Sequence, residues 1–404
     1  ALRRARRVAV CDVRGGAAAR GAKGKPKGFK APEVVEAEVV AAPKATAEEK
    51  AAKVIDTVIE GSTMDEVQSK ADLGSEDAMF AMGVQFFKGE GGVLQDKVQA
   101  AEWFTKAAER GHRLAQRNLG EMLYAGDGIE ANKTEAFRWM RLAGEPALAE
   151  AQFNVAFMLH MGDGCKQDKA EAHKWYTYAA EDGMPRAQIN LAAMYRTGDG
   201  IEEDKEEALH WYTQAAILGD VDGQHNLAEM YHEGEGGRRD EKKAAKWWAK
   251  AAKQGKADSQ FNYAMMQFYG KGFETTNRPK AAEWYRKAAE QGFAPAQYCL
   301  AVMLDLGDGV EVDKKEASDF YLKAAEQKHP QAAFNLAGMY YTGEGPLEQD
   351  KAAAAKWYEV AGKEGHAQAM KNIANMLRKG DGVPEDLQRS NYWFKKAGLG
   401  EFTG

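Results

Sequence analysis

Apolar positions along this chain follow a helical period that is interrupted and restarted at regular intervals. In the stretch 187–198, Ala187, Leu191, Met194, Tyr195 and Gly198 fall at i, i+4, i+7, i+8 and i+11, one face of a helix. A Gly-x-Gly pair follows (Gly198, Gly200), then Asp204, and seven residues later Trp211. The same series recurs nine times, with first glycines at 89, 126, 162, 198, 234, 270, 307, 343 and 380, in steps of 36 or 37 residues. A period of this length means stacked units, each touching mainly its neighbours. Each unit reads as helix, Gly-x-Gly turn, helix, short turn.

The register within a unit is uneven in an informative way. Asp96, Asn132, Asp168, Asp204, Asp240, Asn277, Asp313, Asp350 and Asp386 each precede an aromatic by seven residues: Trp103, Trp139, Trp175, Trp211, Trp247, Trp284, Phe320, Trp357 and Trp393. The extra residue of the 37-residue units falls before the Asp or Asn, never after it. A short side-chain oxygen that caps the first turn explains this, because beyond it an insertion would rotate the aromatic off its face. The glycines thus read as the adjustable joint, and the aromatics, at the seventh helical position, as core. Alanine stands four residues after every aromatic, and glycine eight after in six units (Gly111, Gly183, Gly219, Gly255, Gly292, Gly365), where a left-handed residue ends a helix. Ala147, Lys328 and Glu401 occupy that place in the other three.

The joint pattern of small residue, Leu, Tyr, Gly-x-Gly, Asp, Trp-Tyr, Ala-Ala and Gly resembles the Sel1-like repeat family over about residues 76–400, most closely in residues 187–219. The resemblance implies an all-α, right-handed α/α superhelical solenoid of about nine repeats, similar to tetratricopeptide arrays. It also implies an adaptor for protein complexes with no shared catalytic residues. The domain reading is residues 1–45 as a basic extended arm, 46–75 as a helical N-terminal cap and 76–404 as the solenoid. Within the cap, Thr46-x-x-Glu49 and Thr63-x-x-Glu66 are capping boxes, and Ala51, Val54, Ile55, Val58 and Ile59 form an apolar stripe.

Charge separates the arm from the rest. Residues 1–30 carry ten Lys/Arg against Asp12, hence +9; the remaining 45 basic and 60 acidic residues give −15. An Ala-, Arg- and Gly-rich, acid-poor leader is the composition of organelle targeting, so a plastid stroma or mitochondrial matrix is expected, with the cytoplasm the other reading. Arg3, Arg4, Arg6, Arg7, Lys23, Lys25, Lys27 and Lys30 make the arm a second contact for a partner. No apolar run is long enough to span a bilayer. Cys11, Cys165 and Cys299 are far apart in the repeat frame and read as separate thiols in a reducing compartment. Some bacterial members of the family instead carry a cysteine pair in every repeat.

Candidate chemistry is sparse. The Gly-x-Gly turns follow helices, not strands, and an acid sits where phosphate would lie, so they are not nucleotide loops. The eight histidines have no metal-ligand spacing and the turn aspartates lack a calcium-loop pattern, so neither metal nor cofactor is expected. Asn118, Asn154, Asn190, Asn226, Asn262, Asn335 and Asn372 stand mid-helix, as bridges between repeats or as clamps for a peptide backbone. Two residues before each first glycine is a chemically mixed column: Phe87, Tyr124, His160, Arg196, His232, Phe268, Asp305, Tyr341 and Arg378. A varied column reads as a groove or rim. Phe157, His160, Arg196, His232, Phe268 and Tyr341 are therefore the expected partner-binding residues, with the aromatics as exposed anchors. The function expected is a non-catalytic protein-binding scaffold or assembly subunit of an organellar complex. The alternatives are an RNA-associated organellar factor, with nucleic acid met only through the arm, and a β-lactamase-like hydrolase of the Sel1-repeat type. No Ser-x-x-Lys with supporting motifs favours the last.

Overall fold

A computed structural model describes residues 63–144 and 148–399. These residues form nineteen helices and no strand. Helix α1 (Met64–Asp72) begins with the second capping box: the Thr63 hydroxyl accepts the Glu66 amide, and the Thr63 amide donates to Glu66 Oε2. Nine hairpins follow. They are α2 (Glu76–Lys88) with α3 (Lys97–Glu109), α4 (Arg113–Ala125) with α5 (Lys133–Gly144), and α6 (Ala149–Met161) with α7 (Lys169–Glu181). Next come α8 (Pro185–Thr197) with α9 (Lys205–Ile217), α10 (Val221–Glu233) with α11 (Glu241–Lys253), and α12 (Ala257–Tyr269) with α13 (Arg278–Glu290). The last are α14 (Ala294–Leu306) with α15 (Lys314–Glu326), α16 (Pro330–Thr342) with α17 (Lys351–Lys363), and α18 (Ala367–Lys379) with α19 (Leu387–Lys396). The fold is an all-α solenoid. The other capping box, the basic arm and its eight named residues lie outside the described residues.

Among the described residues the chain divides into two compact units. One runs through residue 223 and takes in 235–237; the other holds 224–234 and 238–399. The first has a core reaching from Val67 to Met194, and the second a core from Phe261 to Phe394 beside a smaller cluster around Trp248.

Each hairpin is built by the devices its sequence advertises. The Asp204 carboxylate accepts the amides of Glu206 and Glu207, both at 3.0 Å, satisfying two orphan donors of the first turn. The Asp204 amide returns to the Tyr195 carbonyl at 2.8 Å, which closes the turn. In the three longer units the cap reaches one residue further back, from Asp96 to Phe86, Asn277 to Gln267 and Asp350 to Tyr340. The inserted residue is absorbed there and the second helix keeps its phase. The six helix-ending glycines have φ between 84° and 97°, and Lys328 adopts the same left-handed conformation, at 65°, without being glycine.

One sequence reading needs correction. Of the nine repeated aromatics Trp175, Phe320 and Trp393 are buried, whereas Trp103, Trp139, Trp211, Trp247, Trp284 and Trp357 are half-buried. The residue after the aromatic is enclosed in all nine hairpins: Phe104, Met140, Tyr176, Tyr212, Trp248, Tyr285, Tyr321, Tyr358 and Phe394 are all buried. Burial pushes the Tyr176 phenol up to about 12. In three hairpins the Trp lies under the ammonium of a lysine three residues on: Lys106 at 4.0 Å over Trp103, Lys250 at 3.9 Å over Trp247 and Lys287 at 4.1 Å over Trp284. Of the cysteines, Cys165 is a half-buried free thiol and Cys299 is buried in α14.

One buried polar column has no counterpart in the sequence reading. Glutamine stands fourth in six of the first helices, and Gln116, Gln152, Gln188, Gln260 and Gln297 each donate to a carbonyl at the end of the preceding helix at 3.0–3.2 Å. In the second unit the other end of the amide is also used: Gln254 donates to Gln224, Gln291 to Gln260 and Gln327 to Gln297. The equivalent of those donors for Gln188 is Leu218, which cannot donate, and Gln188 Oε1 has no partner. Leu218→Gln should therefore raise unfolding free energy by about 1 kcal/mol, the usual net worth of one hydrogen bond. Urea midpoints of the two proteins measure this, and Asp182→Gln should do the same for Gln152.

Candidate functional site at the repeat seams

The mixed column is half-buried except at Phe268 and Asp305, which are buried. It faces the Gly-x-Gly turn of the following repeat. The residue between the glycines there is an acid, and it accepts from two donors of the repeat before: the column residue and the first residue of the second helix. Tyr124 donates to Asp163 at 2.6 Å and Lys133 joins it at 2.9 Å. His160 meets Asp199 at 2.8 Å beside Lys169. Arg196 donates to Glu235 at 2.6 Å and Lys205 at 3.1 Å. Tyr341 donates to Asp381 at 2.7 Å, as does Lys351. Lys351 foremost, then Tyr341, holds the Asp381 carboxyl below the usual carboxylate range, and Lys169 and then His160 do so for Asp199.

Apolar column members join the same seam through their rings. Phe268 is only 4% exposed, with the Arg278 guanidinium 4.5 Å from its centroid, so the expected exposed anchor is a buried packing residue. Asp305 is buried and paired with Lys314, which also reaches Glu344 at 3.0 Å.

His232 marks an exception. Its own second helix starts with Glu241 instead of a base, and the next turn carries Lys271 instead of an acid. Glu241 accepts from His232 Nδ1 at 2.9 Å and pairs with Arg239. The sequence held a signal for all this. The two seam positions are thirty residues apart and opposite in sign at all eight junctions, from Lys97 with Asp127 to Lys351 with Asp381, including the reversed pair Glu241 and Lys271.

Phe157 stands apart from the other candidates. It is 39% exposed, and Met161, one turn further along α6, is 61% exposed. The equivalent places in neighbouring hairpins hold Glu121 with Ala125 and Ala193 with Thr197. Of the asparagines, Asn190 makes the expected bridge between repeats, donating to the Tyr176 hydroxyl at 3.1 Å.

Three histidines turn out to be helix caps. His112, His329 and His366 accept the amide of the third helical residue through Nδ1, at 3.1–3.3 Å, and stack on Phe80, Tyr298 and Phe334. An accepting nitrogen must be unprotonated. Burial lowers all three, and holds His329 down at about 4 against an ordinary 6.5. Between those values the unfolded chain binds protons the folded chain refuses, so stability is full above about pH 6.5 and falls as pH drops towards 4. Urea midpoints across that range should show this slope, and a His329→Asn/His366→Asn variant, which keeps a capping oxygen, should flatten it.

Among the described residues no group of three or more His, Cys, Asp or Glu is placed to hold a metal, and no helix is long and apolar enough to cross a membrane. The Sel1 repeat family model matches nine consecutive segments: 76–112, 113–145, 149–184, 185–220, 221–256, 257–293, 294–329, 330–366 and 367–400. The chain belongs to the Sel1-repeat family. Its Sel1 repeats are similar to those of two solved bacterial proteins. One is c5321, a protective antigen of uropathogenic Escherichia coli strains with an SLR fold: 33% identity over 87% of this chain and 76% of that one, TM-score 0.76. The other is a Sel1 repeat protein of Oxalobacter formigenes: 31% identity over 74% of this chain and 85% of that one, TM-score 0.61. No curated protein sequence matches the chain. Sel1 repeats generally mediate protein–protein interaction.

Proposed function

We propose that this Sel1-repeat protein is a non-catalytic scaffold, a structural or assembly subunit of an organellar complex. The observation that carries the reading is how the repeats divide their residues. The recurrent positions are consumed in caps, turns and seams, while exposed positions differ from copy to copy. Phe157 and Met161, one turn apart on α6, are among the exposed large apolar side chains, and we assign the partner contact to them. An exposed aromatic beside a methionine suits a protein surface, since both bury large apolar area at low cost in polar desolvation. His160, Arg196, His232, Phe268 and Tyr341 then act by fixing the angle between repeats. The composition of residues 1–30 supports an organellar destination, and its positive charge a second contact.

The test is affinity capture from native extract with the full chain and with a Phe157→Asp/Met161→Asp variant. The full chain should retain a stoichiometric protein partner that the variant loses while its circular dichroism stays the same. An identical set of captured proteins would remove this face from the account. Imaging the chain with and without residues 1–45 tests the destination.

A further inference from the structure

Most second helices expose corresponding side chains at their second, sixth, tenth and thirteenth residues. In most hairpins these mix charge and polarity: Ala170, Lys174, Tyr178 and Glu181 in α7; Lys315, Asp319, Lys323 and Glu326 in α15. In α11 all four are lysine, namely Lys242, Lys246, Lys250 and Lys253, and all are exposed. No other second helix places a base at more than two of these positions. Residues 238–256 hold eight basic residues against Asp240 and Glu241, hence +6, inside a body that is −15 without the first thirty residues.

None of the four lysines forms an ion pair among the described residues, whereas Arg239 and Lys243 on the same hairpin do. Lys250 lies over the Trp247 ring, and burial there together with Lys246 pushes its pKa down. Like charges one turn apart on a helix oppose each other, so the row costs stability when nothing neutralises it.

We propose that this lysine row is the docking site for an acidic segment of a partner protein, a helix with carboxylates at i, i+4, i+8 and i+11. The row lies on one side of the helix and is about 16 Å long, from eleven residues of helical rise, and an acidic helix repeats its carboxylates at the same pitch. It is also narrow. At matching positions the two following second helices present Glu283 and Glu290 around Lys287, then Asp319 and Glu326 beside Lys315 and Lys323, so neither carries a net positive charge there. A phosphate backbone or an anionic bilayer is broad and would meet those acids, while one helix, about 10 Å across, need not. The inference rests on the scaffold reading above and gives it a second, electrostatic contact.

The probe is a fluorescein-labelled alanine-rich peptide with glutamate at those four spacings, titrated with the full chain and followed by anisotropy. Binding should weaken as salt rises, and Lys246→Gln/Lys250→Gln should weaken it by about tenfold or more. Lys315→Gln/Lys323→Gln on α15 should change it less than about twofold. Both pairs are exposed, and circular dichroism of each variant is the check on its folding. Equal affinity of the α11 variant and the full chain would overturn the proposal. So would tighter binding to duplex RNA or to phosphatidylserine vesicles, or salt-sensitive self-association lost in the variant. Partner capture that still depends on Phe157 would leave the scaffold reading standing in each case.

Discussion

Tyr285→Ala is expected to cost about 3–5 kcal/mol of unfolding free energy, the range for truncating a fully buried aromatic. Tyr285 is 0% exposed, packs at 5.6 Å between ring centroids on Phe261 and belongs to the largest core of the second unit. Its neighbour Trp284 is half-buried beneath Lys287, whose ammonium is 4.1 Å from the ring centroid. Trp284→Ala should cost about half as much or less, because only part of its area leaves water on folding. Trp211 and Tyr212 should show the same order in the first unit, where Tyr212 is 3% exposed. Urea titrations followed by far-ultraviolet circular dichroism rank the four variants. A larger loss for the tryptophans would reverse the assignment of the core column.

Alanine at the second glycine of a turn should be nearly as damaging, at about 2–4 kcal/mol from left-handed strain plus a backbone clash. Gly236 has φ +69°, and a Cβ there would lie 2.0 Å from the Lys205 carbonyl oxygen; at Gly164 it would lie 2.3 Å from that of Lys133. These atoms are the start of the preceding repeat's second helix, so the second glycine is where successive repeats touch backbone to backbone. The first glycine of a turn is different. At Gly380 (φ +63°) the nearest atom to a Cβ is 3.7 Å away, and Gly380→Ala should cost only about 1–2 kcal/mol of conformational strain. Thermal midpoints of Gly236→Ala and Gly380→Ala read the difference directly. Equal shifts would mean that conformation alone, not repeat contact, selects glycine at both places.

What could be read from residues alone follows range. Period, helix boundaries and caps are local, and Asp204, Gly198 and the capping box at Thr63 behave as their neighbours in sequence require. The site of the inserted residue was legible too, because a phase-locked helix leaves it one place to go. Burial was harder. A second helix packs against its own partner and against the next hairpin, so two adjacent residues, Trp211 and Tyr212, both look apolar and both repeat. Which of them is enclosed depends on crossing angles that periodicity does not carry. The mixed column is a related case. His160, Arg196 and Tyr341 can vary because an acid accepts equally from imidazole, guanidinium or phenol. Opposite charges thirty residues apart were visible in the chain and mark the seam without any structure. The lysine row on α11 emerges only when exposed positions are compared copy by copy.

As a scaffold, this chain is proposed to work by holding proteins and not by chemistry. Crosslinking mass spectrometry on native extract tests it most directly, with the full chain compared against the Phe157→Asp/Met161→Asp variant. The account expects reproducible crosslinks from lysines near α6 and α11 to one or more partner proteins, lost near α6 in the variant. Crosslinks confined to the chain itself, or a partner set unchanged by the variant, would contradict it.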